Sequence, residues 1–235
     1  MKLKSGLLSV FFPERCIICG EIKPFLKAYC PICAIDTKAL SADACSHCGH
    51  ENCICDKNIS LKLPHFSAVY YYQGQIRKSM LKYKFYGESS YADVFGKAMA
   101  KRIKDIWPDT VFDGVSFVPM TESAVRKRGY NQSELLAIIV SRELNLKLIP
   151  CLIKAKESCD QKNLTSQERL RNIEGSFAIN KNADIKGKNI LLCDDIKTTG
   201  ATLRECCDTL ITAGAADVYC HCLTITPYLN ETDLF

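Results

Sequence analysis

The chain predicts an α/β fold, a parallel sheet flanked by helices, preceded by a small N-terminal metal-binding module. Three features carry this reading. Eight of the 15 cysteines lie before residue 56, arranged in close pairs. Beyond them, short apolar runs alternate with stretches of helical period, as in sheets built from strand–helix–strand units. One apolar run, 190–193, leads through two adjacent carboxylates and a Thr/Gly-rich loop into another helix. At 235 residues the chain has room for a small domain beside a larger one, and a composition of 47% hydrophobic and 24% charged residues excludes intrinsic disorder.

The cysteine pairs run Cys16-x2-Cys19, Cys30-x2-Cys33, Cys45-x2-Cys48 and Cys53-x-Cys55. A two-residue gap lets a tight turn aim both sulfurs at one point, and four thiolates close a tetrahedral zinc site. Gly20 and Gly49 follow two of the pairs. There a residue tolerant of positive φ leaves backbone N–H groups free to face the sulfurs. Taken in order, Cys16, Cys19, Cys30 and Cys33 hold one ion, and Cys45, Cys48, Cys53 and Cys55 a second. An interleaved arrangement satisfies the spacing too, and His47 or His50 offers a substitute ligand at the second site. The competing reading is a disulfide framework, which needs an oxidising compartment, and no export signal is visible. With every ligand position filled by protein, the zinc is structural and supplies on the order of 10 kcal/mol of folding energy per site. The module ends near residue 58, giving expected domains 1–58 and 59–235.

The elements of the larger domain follow in order. Residues 68–72 are β-rich, and Gly74 punctuates the chain after them. Helical spacing governs 75–85 and 90–107, where Val94, Ala98, Ile103 and Ile106 form one stripe. A short strand at 115–118 stops at Pro119, and a helix at 133–144 carries Leu135, Leu136, Ile139, Val140 and Leu144 on its buried face. The continuous run 190–193 suits an inner parallel strand covered on both sides. A helix at 202–213 is closed by Gly214, and 218–225 supplies the last strand. Cys193, Cys206, Cys207, Cys220 and Cys222 read as small core hydrophobes, and His221 as a core histidine.

The segment 190–202 carries the chemistry. Asp194 and Asp195 stand at the carboxyl end of a strand, where open α/β sheets place their ligands. Thr198, Thr199, Gly200, Ala201 and Thr202 then offer hydroxyls and free N–H groups at a helix start, a cradle for phosphate, with Lys197 adding charge beside it. Adjacent carboxylates accept hydrogen bonds from neighbouring sugar hydroxyls, so a ribose 5-phosphate fits both halves. The Gly-x4-Gly-Lys-Ser/Thr spacing of a Walker loop is absent.

This segment resembles the phosphoribosyl pyrophosphate (PRPP) loop of type I phosphoribosyltransferases. Val118-Pro-Met-Thr121, Arg126-Lys-Arg-Gly-Tyr-Asn-Gln132 and the stretch from Gln161 to Asn172 resemble the ComF (competence protein) family, as does the zinc-ribbon N-terminus. The departures are Tyr130 in place of phenylalanine, Lys154 in place of arginine, and Lys197 where an aromatic is usual. The resemblance implies that Asp194 and Asp195 are the catalytic pair, holding the ribose 2′ and 3′ hydroxyls, while residues 198–202 hold the 5-phosphate. It implies a pyrophosphate turn at 119–123, with Met120 and Thr121 assisted by Arg126 and Arg128, and a lid at 151–172 carrying Lys154, Lys156, Gln161 and Arg169. Magnesium accompanies PRPP in such a site. Transfer to a nitrogen acceptor passes through an oxocarbenium-like state from which water must be excluded.

A second functional reading rests on charge. Residues 61–130 hold 12 Lys/Arg against 6 Asp/Glu, whereas 131–235 hold 12 against 14, so the chain's net +5 is concentrated in its middle. Within that segment Lys82, Tyr83, Lys84 and Phe85 alternate cations with aromatics, a pattern suited to single-stranded DNA; an ordinary amphipathic helix end with snorkelling lysines gives the same pattern. The family resemblance implies a role in natural competence, with single-stranded DNA and other competence proteins as partners. The uncharged run 5–13 is too short to span a bilayer, which takes roughly 20 apolar residues, so a cytoplasmic protein is expected.

Overall fold

The computed structural model describes residues 16, 18–24, 29–31, 33, 37, 39–53, 55, 63–85, 91–155 and 175–228. The expected domain boundary near residue 58 lies outside them. In chain order the larger domain runs β1 (His65–Tyr71), α1 (Gly74–Phe85), α2 (Tyr91–Ile106), β2 (Gly114–Phe117), α3 (Glu122–Arg128) and α4 (Gln132–Leu144). It continues with β3 (Leu152–Lys154), β4 (Phe177–Ile179), β5 (Asn189–Lys197), α5 (Ala201–Thr212) and β6 (Asp217–Ile225).

Four strands form one sheet in the order β1-β6-β5-β2, and every pairing in it is parallel. The two inner strands are the ones without polar alternation. Ile190, Leu191, Leu192 and Cys193 of β5 are completely buried, as are Val218, Cys220, Cys222, Leu223 and Ile225 of β6. Such continuous burial requires cover on both faces. One face is covered by side chains of α1, α2 and α4, including Met80, Phe95, Met99, Ile103, Leu136 and Val140. The other face carries Leu203, Cys206, Cys207 and Leu210 of α5, with Leu152 and Phe177 of the antiparallel β3–β4 pair. The cysteines read as core fillers are all buried, Cys193 on the first face and Cys206, Cys207, Cys220 and Cys222 on the second, and His221 is buried with its pKa pushed down to about 3 by burial, so it stays neutral.

Two elements differ from expectation. The strand expected at 190–193 continues through Asp194 and Asp195 to Lys197, because β6 runs alongside it to the same depth, pairing Asp194 with Cys222 and Lys197 with Ile225. A paired neighbour overrides the weak strand preference of aspartate. The residues after Pro119 form a turn only to Thr121, which caps α3 by accepting the Ala124 N–H at 3.3 Å. Gly129 at φ 86 ends that short helix.

The N-terminal module is seated on this frame through backbone as well as side chains. The Leu40 N–H donates to the Val69 carbonyl at 2.8 Å, the Phe66 N–H to the Ser46 carbonyl at 2.7 Å, and the Ser79 hydroxyl to the Ile18 carbonyl at 2.8 Å. No helix among the described residues is long and apolar enough to cross a membrane.

Helices α2 and α4 meet at Gly96, where a Cβ would stand 2.5 Å from the Ile139 Cβ. Gly96→Ala gains helix propensity of up to ~1 kcal/mol but forces the helices apart, a cost of about 1–3 kcal/mol. The expected net result is a lower urea midpoint, partly recovered in Gly96→Ala/Ile139→Ala. A raised midpoint in the single variant would show that the two helices are not in tight contact there.

Candidate functional site

The eight N-terminal cysteines assemble in sequence order. Cys16, Cys19, Cys30 and Cys33 converge in one group, and Cys45, Cys48, Cys53 and Cys55 in another, with the sulfurs of each group within 4.8 Å of one another. The interleaved arrangement is excluded. The contacts Cys19–Cys30 at 3.6 Å, Cys45–Cys55 at 3.8 Å and Cys48–Cys53 at 3.7 Å suit zinc, since Zn–S bonds of about 2.3 Å give a tetrahedron with edges of about 3.8 Å. Backbone N–H groups of Cys33, His47 and Cys55 point at sulfurs of Cys30, Cys45 and Cys53. Burial opposes the thiolates of Cys16 and Cys45, yet neighbouring N–H donors outweigh it and bring these groups down to about 7 and about 6. Both histidines are engaged elsewhere: His47 Nδ1 with the Leu63 carbonyl, His50 Nε2 with the Thr226 carbonyl.

At the carboxyl end of the sheet, β5 delivers Asp194 and Asp195, each 8% exposed. Successive strand residues face opposite ways, so the two carboxylates have different partners. Asp194 Oδ1 accepts from the Ser133 hydroxyl at 2.7 Å and from the Asp195 N–H at 2.9 Å. Burial first, and the neighbouring Asp195 charge second, push its pKa up to about 7. Asp195 Oδ2 lies 2.8 Å from the Lys84 ammonium. Ser133 arrives because Asn131 caps α4, its side chain accepting from the N–H groups of Ser133 and Glu134.

The chain then turns through Thr198 and Thr199 to Gly200, whose φ of 88 makes it a left-handed cap with no side chain over the helix end. The N–H groups of Thr202 and Leu203 in the first turn of α5 have no intrahelical acceptor, whereas Arg204 N–H already bonds the Gly200 carbonyl at 2.9 Å. Thr199 Oγ1 accepts from the Ala201 N–H at 3.3 Å. An anion placed over Gly200 meets open N–H groups, two threonine hydroxyls and the positive end of a helix.

The loop after β2 lies beside this end because β2 pairs with β5 and the Val118 N–H donates to the Cys193 carbonyl at 3.1 Å. Met120 and Thr121 therefore stand next to the acidic pair's strand. Arg128 reaches back toward them, its Nη1 4.0 Å from Met120 Sδ and 3.4 Å from Gln132 Oε1. Arg126 instead pairs with Glu122 on the solvent side of α3. Lys154, at the end of β3, is half-buried over the Phe177 ring, and burial lowers its pKa while the Asp194 charge opposes that shift. Lys156, Gln161 and Arg169 lie outside the described residues.

Lys197 lies beside the Gly200 turn, its Nζ 3.9 Å from the position a Gly200 Cβ would take, while its ammonium donates to the Cys48 carbonyl at 3.2 Å and sits over the Phe66 ring, buried against the second cysteine cluster. One sequence expectation is corrected: the stretch Lys82–Lys84 does not form a nucleic-acid strip. Tyr83 is fully buried with its hydroxyl on the Gln132 carbonyl, leaving no face for a base, and Lys84 points inward to Asp195. Only Lys82 stays at the surface of that helix turn; the Phe85 side chain lies outside the described set. Sequence reasoning missed Ser133 and the inward turn of Lys84, although both lie in segments it had singled out.

Zinc analysis of the purified chain is expected to give two ions per chain, falling to one in Cys45→Ser. A ratio near one in the unaltered chain would remove the second site.

Comparison with known proteins bears on both halves. A phosphoribosyl transferase domain matches residues 125–228 and a double zinc ribbon domain matches residues 7–60. Competence protein ComFC of Bacillus subtilis is 29% identical over 206 residues, 83% of this chain and 82% of that protein. DNA utilization protein YhgH of Escherichia coli K12 is 25% identical over 227 residues, 91% of this chain and 98% of that one. Competence protein F of Haemophilus influenzae is 25% identical over 228 residues, 88% and 95% of the two chains. Among solved structures, an adenine phosphoribosyltransferase overlaps 64% of this chain and 76% of its own at 14% identity and a TM-score of 0.40, too slight a likeness to add to the topology. Built as a double zinc ribbon followed by a phosphoribosyl transferase domain, the chain is a homologue of the ComF and YhgH proteins over most of its length.

Proposed function

We propose that the chain binds PRPP with magnesium and acts in the cytoplasm in the uptake or use of DNA, transferring the phosphoribosyl group to a nitrogen acceptor. The observation that carries this is the buried Asp194–Asp195 pair placed one short loop before an open helix start. In this reading the carboxylates accept the ribose 2′ and 3′ hydroxyls. Residues 198–202 hold the 5-phosphate. Met120, Thr121 and Arg128 face the pyrophosphate from the neighbouring loop. Magnesium, when bound with the ligand, would supply neutralisation of the pyrophosphate charge. Lys154, at the end of β3, adds a cation whose charge interacts with Asp194. All of this needs no protein nucleophile, which agrees with cysteines that are buried and raised in pKa, as at Cys193, Cys206 and Cys222.

A second reading, a non-catalytic protein that handles single-stranded DNA and meets other competence proteins, is favoured by one observation. The last turn of α3 exposes Arg126, Lys127 and Arg128 together, in a segment of net positive charge. Phosphate contacts from such a patch give affinity that falls steeply with salt.

Two measurements test these readings. Titration with PRPP and magnesium is expected to show binding that falls at least about tenfold in Asp194→Asn/Asp195→Asn, a loss of roughly 1.4 kcal/mol or more. Equal affinity in both proteins would sink the PRPP assignment. Pyrophosphate release across a panel of amines, bases and single-stranded DNA then separates enzyme from binder.

The raised pKa of Asp194 sets the pH dependence. Below about 7 this carboxyl is protonated in the empty site, so PRPP affinity should rise through that pH as it ionises. The folded pKa lies above the ordinary 3.8, so its contribution to stability is present below that value and is lost as pH rises toward about 7. Both trends should flatten in Asp194→Asn, which also separates them from titration of the ligand's own phosphates. Ser133→Ala, which removes a hydrogen bond to the ionised form, should move the inflection upward.

A further inference from the structure

The helix that carries Lys84 is clamped at its end. The Tyr83 hydroxyl donates to the Gln132 carbonyl at 2.7 Å, the Tyr130 hydroxyl donates back to the Tyr83 carbonyl, and Gln132 Nε2 donates to the Lys84 carbonyl at 3.4 Å. Tyr83 is wholly buried, so the backbone at Lys84 is fixed against the 130–132 turn. Only the Lys84 side chain, four flexible methylenes, can change place. Its ammonium now occupies Asp195 Oδ2 at 2.8 Å, with both side chains nearly closed off from solvent. That is the carboxylate assigned above to a ribose hydroxyl.

A neutral sugar hydroxyl can take the place of an ammonium as a donor to Asp195, but it cannot replace its charge. Displacing Lys84 without a new anion leaves a cation in a poorly solvated position, which is costly. Gln132, the first residue of α4, already touches both the Lys84 backbone and Arg128, so a lysine leaving Asp195 has an arginine close by with which to share an anion.

We infer that Lys84 is a specificity-determining residue, a counter-ion that closes the sugar site and yields it to a pentose 5-phosphate that also bears an anionic group at the anomeric carbon. Resting on the PRPP reading, this predicts discrimination. PRPP offers Lys84 a new partner in its pyrophosphate. Ribose 5-phosphate makes the same hydroxyl and 5-phosphate contacts, offers none, and is rejected.

The experiment measures the affinities of PRPP and ribose 5-phosphate, each with magnesium, for the full chain and for Lys84→Ala, Lys84→Gln and Lys84→Arg. Wild type is expected to prefer PRPP strongly. In Lys84→Ala that preference should drop at least tenfold, through weaker PRPP and equal or tighter ribose 5-phosphate. Lys84→Gln keeps a donor to Asp195 without the charge, so it should lose the preference even if the alanine variant folds poorly, and Lys84→Arg should retain most of it. Loss of both ligands by the same factor would reduce Lys84 to a structural role, and an unchanged ratio would overturn the inference; either leaves PRPP binding itself standing. A wild-type chain that binds neither ligand would overturn the PRPP reading and this one with it.

Discussion

Two carboxylates buried side by side at the end of the central strand set the problem that the surrounding structure solves. A buried charge costs several kcal/mol unless it is paired and hydrogen-bonded, and two like charges on neighbouring residues aggravate each other. The strand itself supplies one donor, the Asp195 N–H to Asp194 Oδ1, and the rest must come from other elements. Relief comes from three directions: the Lys84 ammonium from α1, the Ser133 hydroxyl from the first turn of α4, and partial suppression of ionisation at Asp194. The convergence of α1 and α4 on this point, sealed by the Tyr83, Tyr130 and Gln132 hydrogen bonds, follows from that need.

The zinc ribbon is tied to the same end of the sheet from beneath. Lys197, the last residue of β5, reaches the second knuckle, and its Cε would lie 3.1 Å from a Cβ on Gly200, so one lysine touches both the turn at Gly200 and the cysteine-rich module. His50 joins the Thr226 carbonyl and stacks on Tyr228, while Gly49 at φ 83 approaches Phe66 so closely that a Cβ would stand 2.4 Å from its ring. The first knuckle is likewise part of the main core, with Cys16, Ile18, Cys30 and Cys33 in one buried cluster with Tyr83 and Phe95. Metal and sheet therefore share packing, and the module is fastened beside the ligand site rather than hung from it.

Much of this was legible in the chain itself. Cysteine spacing predicts two four-thiolate sites because each pair must meet within one turn, a local demand. The inner strands announce themselves through unbroken apolar runs, and the acidic pair with its Thr/Gly loop is contiguous, so its chemistry can be read without knowing the fold. What the sequence does not show is where a lysine turns: Lys84 stands in a row of cations, but its direction depends on helix phase against a partner far away, Asp195. Tyr83 suits a stacking surface or a packed helix face equally well in the sequence, because aromatic residues look alike there whether they are covered or not.

The amino-acid sequence by itself determined most of the elements, the close cysteine pairs and the carboxylate–threonine segment, since each depends on residues within a turn or two of one another. Tertiary structure alone decided the sequential pairing of the cysteines, the extension of β5 through Asp194 and Asp195, and the partners that neutralise them. Those depend on which strand lies alongside and which helix end arrives from above. The free energy that decides them is burial of charge and apolar surface shared among segments far apart in the chain, and no local pattern encodes it.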